Sequence, residues 1–447
     1  MISPRNEPAH WQARLDALQS HGRLPSIVGG VLRDGELAWT GAAGDVPGDP
    51  GDRQYRIGSI TKTFVAVAVL RLRDAGLLTL DDPIGRFVPE TGYALSTIRS
   101  LLSHTAGMQS EPAGPWWERS PGGDFATLVA RNDGSGAVAG PGDFFHYSNL
   151  GFALLGEVVA RIAGSTWWDV VATEILGPLG MARTTFHPAS PHAQGYSVGH
   201  FAGTLTPEPH QDTGAMAPAG QAWSTVTDLA RWGRFLSSGH PAVLDVATVQ
   251  EAARPVSPAT DYGLGLRVLA ARGRPLVGHT GSMPGFLASL FVDPHTGDGT
   301  VAMANATVGL DTVGVPQALL SEDPVSATDP WVPTEAVPEP VRELLGLWFW
   351  GNTATDLRWS SGCLELRSLV RPEDVERFEL SGARILGTDG YHRGEELQVL
   401  RNGDGSINHL ECATFVYTRE PYDPAAPIPG GHPEGESPAR SPRQGKT

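Results

Sequence analysis

Gly58-Ser59-Ile60-Thr61-Lys62-Thr63-Phe64 sets a hydroxyl and an amine three residues apart at the mouth of a strongly apolar helical run, Val65 to Leu70. Positions i and i+3 share a helix face, so the Lys62 amine can fold back onto the Ser59 hydroxyl within hydrogen-bonding reach. A serine alone is a poor nucleophile, and a neutral lysine beside it takes up its proton. Neutrality near pH 7 requires an amine that is desolvated or set near another cation or a donor, and the apolar run agrees with this. Roughly one Ser-x-x-Lys match is expected by chance in a chain of this size, and the pair by itself reads equally as a solvent-facing helix start.

Working outward, Asp81-Asp82-Pro83-Ile84 follows the helix, and then Leu101-Leu102-Ser103-His104-Thr105-Ala106-Gly107. After the turn Pro141-Gly142-Asp143 comes Phe144-Phe145-His146-Tyr147-Ser148-Asn149-Leu150-Gly151, a Tyr-x-Asn triplet just before an apolar helix. Leu276-Val277-Gly278-His279-Thr280-Gly281-Ser282 reads as a short strand ending in His-Thr-Gly. In this order the elements resemble the active-site motifs of the serine β-lactamase and penicillin-binding-protein superfamily, over roughly residues 10 to 320. The ordered set is far more specific than any one motif.

That resemblance implies an α/β fold: a β-lactamase/transpeptidase-like antiparallel sheet flanked by helices, with a helical domain inserted. Periodicity agrees. Residues 26–32 and 36–42 read as a hairpin around Asp34-Gly35, and Ser59 to Ala75 as the nucleophile helix, stopped by Gly76. Helices are expected at about 97–103, 125–132, 149–163 and 168–176, and another from Ser224; strands at 262–269, 275–280, 286–292 and 299–304. The first and last strands should share one sheet, with the active site at the seam with the helical insert.

Composition permits this. With 447 residues, 40% of them apolar, 55 glycines and 37 prolines, the chain describes a loop-rich enzyme with room for two domains. A formal net charge of -16 argues against nucleic acid and gives no help in docking an acidic carrier protein. No apolar run is long enough for a membrane span, and the first twenty residues form an amphipathic helix, not a signal peptide. The expected setting is cytoplasmic, where Cys363 and Cys412 read as free buried thiols. The expected organisation is a catalytic domain over 1–320, a Pro/Asp/Glu-rich linker over 321–340, a small all-β barrel over 341–424 and a disordered tail over 425–447.

The resemblance assigns roles. Ser59 attacks a carbonyl to form an acyl-enzyme and Lys62 accepts its proton. Tyr147, as phenolate or polarised phenol, passes a proton to the leaving group; a buried tyrosine with a satisfied hydroxyl is the plainer reading. Asn149 orients Lys62 and binds a substrate amide, or caps its helix. The best-known lactamases and transpeptidases carry a lysine where this chain has His279, which keeps a donor and gives up the fixed charge. Gly281 lets a substrate backbone approach, and the amides of Ser282 and Ser59 form an oxyanion hole. His104 reads as a structural histidine bridging loop backbone. No metal is expected at His279 or His104, which lack carboxylate or cysteine companions at ligand spacing, and no cofactor is implied.

The stretch Glu111-Pro112-Ala113-Gly114-Pro115-Trp116-Trp117-Glu118-Arg119 either covers the acyl site or is a surface loop whose tryptophans pack inward. With the appended β domain and its ending, Tyr417-Thr418-Arg419-Glu420-Pro421-Tyr422-Asp423-Pro424, it resembles the stand-alone penicillin-binding-protein-type thioesterases. Members of that group release nonribosomal peptides with a D-configured acyl terminus from a carrier-bound thioester and close them head to tail, and their C-terminal domain is lipocalin-like. The resemblance makes Arg419 a candidate for substrate binding and a small peptide or peptidyl thioester the partner. A D-stereospecific peptidase, amidase or esterase of the same fold, with little or no β-lactamase activity, is the alternative. A non-catalytic ligand-binding or sensing module stands as a third.

Overall fold

Asp34 and Gly35 both adopt positive φ, 50° and 77°, the conformation a two-residue hairpin turn requires. They join strands Ser26–Arg33 and Glu36–Gly44, which open a six-stranded antiparallel sheet. In the computed structural model, residues 7–258, 260–271 and 273–422 are described; the tail expected over 425–447 and the last two residues of the expected barrel lie outside them. The chain divides into two compact units: residues up to 198 together with 206–332, and residues 199–205 together with those from 333 on.

In the first unit the spatial order of the sheet is Glu36–Gly44, Ser26–Arg33, Gly299–Ala304, Phe286–Val292, Arg274–Met283, Arg267–Ala271. Ile27 pairs with Ala304, so the first and last strands meet as expected. Between them the chain builds the helical insert around Thr61–Asp74 and Asn149–Ala163. Ten consecutive residues of the first helix, Thr61 to Leu70, are buried all round, which only a central helix can satisfy. Gly76 follows it at φ 73°, and Gly164 ends the second helix at φ 67°, both left-handed stops that glycine takes without strain. Ser148 caps that second helix, its Oγ accepting from the Gly151 amide at 3.1 Å.

The strand expected over 262–269 is observed as Arg267–Ala271. Gly265, at φ 80°, breaks the extended run. A Cβ there would lie 2.2 Å from the Ala66 Cβ, so this loop rests on the nucleophile helix instead of pairing in the sheet. Tyr262 is thereby freed from the sheet and turned into the interior.

The second unit is an eight-stranded, nearly closed antiparallel barrel of the lipocalin-like kind expected. A bridge between Leu386 and Glu396 ties its two edges. Its core gathers Val341, Leu344, Trp348, Leu357, Leu364, Phe378 and Leu410. Val337, near the end of the proline-rich stretch, is buried in that core, and so is Ala202, from the short segment 199–205. Cys363 is half-buried and Cys412 buried, both as free thiols.

Candidate active site

Ser59 sits in a single 3₁₀ turn, Gly58–Ile60, that feeds directly into the helix Thr61–Asp74. Gly58 has φ 52°, and a Cβ on it would fall 2.5 Å from the Ser282 amide nitrogen. A Cβ on Gly281 would fall 1.9 Å from the Ile57 carbonyl oxygen. Only glycines allow the nucleophile turn and the end of the strand Arg274–Met283 to touch in this way. The contact brings together the two stretches of backbone whose amides, Ser59 and Ser282, suit an oxyanion hole. It also corrects one expectation: the space left by Gly281 is filled by the chain's own Ile57 carbonyl, and not by a substrate backbone.

Lys62 Nζ donates to Ser59 Oγ at 2.8 Å and to the Ala219 carbonyl at 2.6 Å. Burial drives the amine down from its ordinary 10.5 to about 7, against the opposing pull of the Glu111 and Glu118 carboxylates. It also lies 5.0 Å from the centre of the Tyr147 ring. A half-neutral amine on the serine oxygen is the general base that acyl transfer needs.

Burial, opposed by an interaction with the same serine, raises the pKa of the Tyr147 hydroxyl far above the usual phenol value. It is therefore a neutral phenol, a donor, and the phenolate alternative falls away. His104 holds the segment that carries it. Its Nδ1 accepts from the Ser148 amide at 3.0 Å, its carbonyl accepts from the His146 amide at 2.7 Å, and its ring lies 4.1 Å from that of Tyr147. The His104 backbone sits at φ 57°, and burial lowers its pKa well below the ordinary value, so it is a neutral structural group.

Asn149 does not orient Lys62. Its Nδ2 donates to Glu111 Oε1 at 2.6 Å, while its Oδ1 is buried without a hydrogen-bond partner. The helix cap that was its other reading belongs to Ser148. Glu111 also accepts from Trp117 Nε1 at 2.7 Å, so one carboxylate ties the tryptophan loop to the Tyr-x-Asn segment. Of the two tryptophans, Trp117 is 8% exposed and its ring edge approaches Gly220 beside the nucleophile turn. Trp116 is 57% exposed, stacks under Arg119 and donates to Glu118 at 2.9 Å. Only Trp117 is a wall; Trp116 faces out.

His279 is 2% exposed, with both nitrogens engaged. Nδ1 lies 2.5 Å from the Thr280 carbonyl, which can only accept, so Nδ1 carries the proton. Nε2 then accepts from the Tyr262 hydroxyl at 2.9 Å. Burial pushes its pKa down to about 3. The donor expected here for substrate is spent internally, and His279 becomes a neutral positioning group. The fixed positive charge comes from the neighbouring strand: Arg267, paired in register with Gly278, acts on both Tyr147 and His279. Its guanidinium donates to Asp261 at 2.7 Å and reaches Thr280 Oγ1 at 3.5 Å.

Sequence reasoning missed Arg267 and Tyr262 as site residues and gave Glu111 no role. Arg267 was reachable by counting register back through the hairpin at Gly273, whereas nothing local marks Tyr262. Arg419 belongs to the barrel itself. Its guanidinium lies 3.9 Å from the centre of the Trp348 ring and donates to the carbonyls of Glu343 at 2.7 Å and Leu347 at 3.0 Å. Those bonds tie the guanidinium that the sequence reading offered for substrate to the barrel's own backbone.

The site and sheet define a serine-hydrolase-type β-lactamase/penicillin-binding-protein fold. The sequence profile of the Beta-lactamase family matches residues 11–320, and that of a domain of unknown function, DUF7586, matches 337–419. The chain belongs to the Beta-lactamase family. Penicillin-binding protein 4 of Amycolatopsis lactamdurans is 28% identical over 333 residues, covering 67% of this chain and 86% of that protein. The chain spans about half the length of other curated relatives, 46% in the case of Beta-lactamase-like protein 2 of Dictyostelium discoideum. Among solved structures, the octameric penicillin-binding protein homologue from Pyrococcus abyssi superposes with TM-score 0.63 at 22% identity, over 92% of this chain and 99% of that one. The D-stereospecific amidohydrolase from Streptomyces sp. does so with TM-score 0.59 at 27% identity, over 70% and 97%. No helix among the described residues is long and apolar enough to cross a membrane.

Proposed function

We propose that the chain is a serine acyltransferase that accepts a peptidyl thioester with a D-configured acyl terminus and closes the peptide head to tail. The observation that carries the acyl-enzyme chemistry is the Lys62 amine, near neutrality, 2.8 Å from Ser59 Oγ. Ser59 Oγ attacks the thioester carbonyl while its proton passes to Lys62. The tetrahedral oxyanion rests on the Ser59 and Ser282 amides. Its collapse expels the thiol, which takes its proton from the Lys62–Tyr147 pair and leaves the peptide as a Ser59 ester. Attack by the peptide's own N-terminal amine then forms the amide and returns the serine.

The preference for a D-residue is supported by the likeness to a D-stereospecific amidohydrolase. Asn149 Oδ1, buried and unpartnered, is an acceptor suited to a substrate amide N–H, and Arg267 is suited to a polar group on the substrate's far side. Ring closure over hydrolysis rests on effective molarity: a tethered amine outcompetes water where the site is dry. In this reading the thioester arrives on a carrier protein in the cytoplasm. If water resolves the ester instead, the same geometry makes a D-specific hydrolase.

The test is intact-protein mass spectrometry with product analysis, on wild type and Ser59→Ala, after mixing with a linear peptide thioester mimic ending in a D-residue. A peptide adduct on wild type alone, with a product one water lighter than the linear acid, is the expected result. An adduct yielding only acid overturns the cyclase and leaves the hydrolase. No adduct with thioesters or simple esters overturns both and revives the binding module.

A further inference from the structure

At one end of the barrel, a ring nitrogen of His392, the thiol sulfur of Cys412 and a carboxylate oxygen of Glu395 all lie within 4.8 Å of one another. His392 is 1% exposed. Its Nδ1 lies 2.6 Å from Glu376 Oε2, which can only accept, so Nδ1 carries the proton and, in the neutral imidazole, Nε2 presents its lone pair. That Nε2 is buried without a hydrogen-bond partner. A buried polar atom left unmatched forfeits its solvation, which is why such atoms are rare and informative.

The backbone fixes the cluster. The turn 392–395 is closed by the Glu395 amide donating to the His392 carbonyl at 3.0 Å, and pinned by the Gly387 amide donating to the Glu395 carbonyl at 2.8 Å. Leu397 pairs directly with Cys412, and Glu395 lies two residues before it, at the end of the turn. The charges acting on the thiol are the carboxylates of Glu395 and Glu376. The surroundings are thus negative, with the aromatic ring of Phe415 4.9 Å from that of His392 as an apolar wall.

We propose that His392, Glu395 and Cys412 form a three-ligand site for a zinc-class divalent cation, with water in the fourth position and Glu376 orienting His392 from behind. Imidazole, thiolate and carboxylate together are a borderline-soft set, which suits zinc over magnesium or calcium. Tetrahedral zinc sets its donors about 3.3–3.8 Å apart, so the three side chains close by about 1 Å as the ion enters. The exposed Glu395 can make most of that movement. Binding releases the Cys412 thiol proton to solvent. The carboxylate behind the imidazole fixes its tautomer and ring orientation, the arrangement metal-binding histidines usually have. The ion ties the 392–395 turn to the strand Ile407–Cys412 and so closes the barrel end; the acyl chemistry at Ser59 is not required for this.

The test uses the full chain, stripped with a chelator and titrated with cobalt(II) or zinc(II) salts alone. One equivalent should bind, with a thiolate-to-cobalt charge-transfer band that zinc displaces. Cys412→Ser should lose the band, and Cys363→Ser should keep it. Glu376→Gln should weaken zinc by about 10- to 100-fold, as loss of an orienting carboxylate does. Glu395→Gln changes an exposed side chain and keeps the fold checkable by circular dichroism, so its loss of affinity is separable from unfolding. No stoichiometric binding, or a band that survives Cys412→Ser or is unmoved in Glu395→Gln, overturns the proposal.

Discussion

At the residue scale, Lys62 sets both rate and stability. Its amine must be neutral to take the serine proton, so acylation falls on the acid side of its pKa. The expected pH profile of kcat/KM for an ester substrate rises with unit slope and levels off above about 7. Glu111 opposes the depression, so Glu111→Gln should move this limb to lower pH; an unmoved or raised limb would contradict the assignment. The stability sign follows from the same shift. The unfolded chain keeps this amine protonated up to its ordinary 10.5, and the folded chain only up to about 7. Burial therefore costs about 5 kcal/mol below pH 7, and the cost fades as pH rises from 7 toward 10.5. Part is offset by the bonds to Ser59 and Ala219, each worth about 1 kcal/mol. Lys62→Met should abolish acylation yet raise stability by about 2–4 kcal/mol at pH 7, and urea denaturation should show that gain shrinking by pH 10. Ser59, Lys62 and Tyr147 were legible because their chemistry is written in short local spacing. Glu111, Tyr262 and Arg267 were not, because they act on the site only after loops and strands distant in sequence have packed.

At the element scale, the site depends on how closely one turn and one strand approach. The turn Gly58–Ile60 and the strand Arg274–Met283 touch through two positions that admit no side chain. Gly281→Ala would put a methyl group 1.9 Å from the Ile57 carbonyl, and backbone there has little room to give. The strand should move off the nucleophile turn and take the Ser282 amide with it. Turnover is expected to fall by about 10²- to 10³-fold, the usual loss for one oxyanion donor, with Ser59 still slowly acylated in a mass-spectrometric time course. Wild-type turnover in Gly281→Ala would refute the oxyanion assignment. The hairpin 26–44 and the helix after Ser59 were legible from turn glycines and periodicity. The strand expected from 262 was not, because the apolar residues of that stretch serve loop packing on the nucleophile helix. In the barrel, buried Asp356 pairs with Arg358, and buried Glu365 pairs with Arg367 and Arg377. These charged residues alternate with the core residues Leu357, Leu364 and Leu366 and pair on the opposite face, so the strands kept the alternation by which they are read.

At the scale of the whole molecule, the barrel is not one continuous piece of chain. The segment 199–205 belongs to the barrel unit although some 130 residues separate it from the rest. Within that unit the Trp359 amide donates to the Phe201 carbonyl at 2.8 Å, and the Thr334 amide to the Gly203 carbonyl at 3.1 Å. Arg358 meets His200 Nε2 at 3.2 Å, and Ala202 joins the core. A sequence boundary cannot show this, because 199–205 is short and runs between residues of the other unit. The consequence is a difference between fragments. A chain of residues 333–422 leaves the Trp359 and Thr334 amides to water and exposes the core around Ala202, at about 1 kcal/mol for each lost bond. Small barrels have little stability to spare, so this fragment should melt several degrees below the barrel transition of the full chain. Supplying residues 199–205 through a glycine-rich linker to residue 333 should recover most of the difference. Equal melting with and without the segment, followed by circular dichroism, would show that 199–205 lies on the barrel without stabilising it.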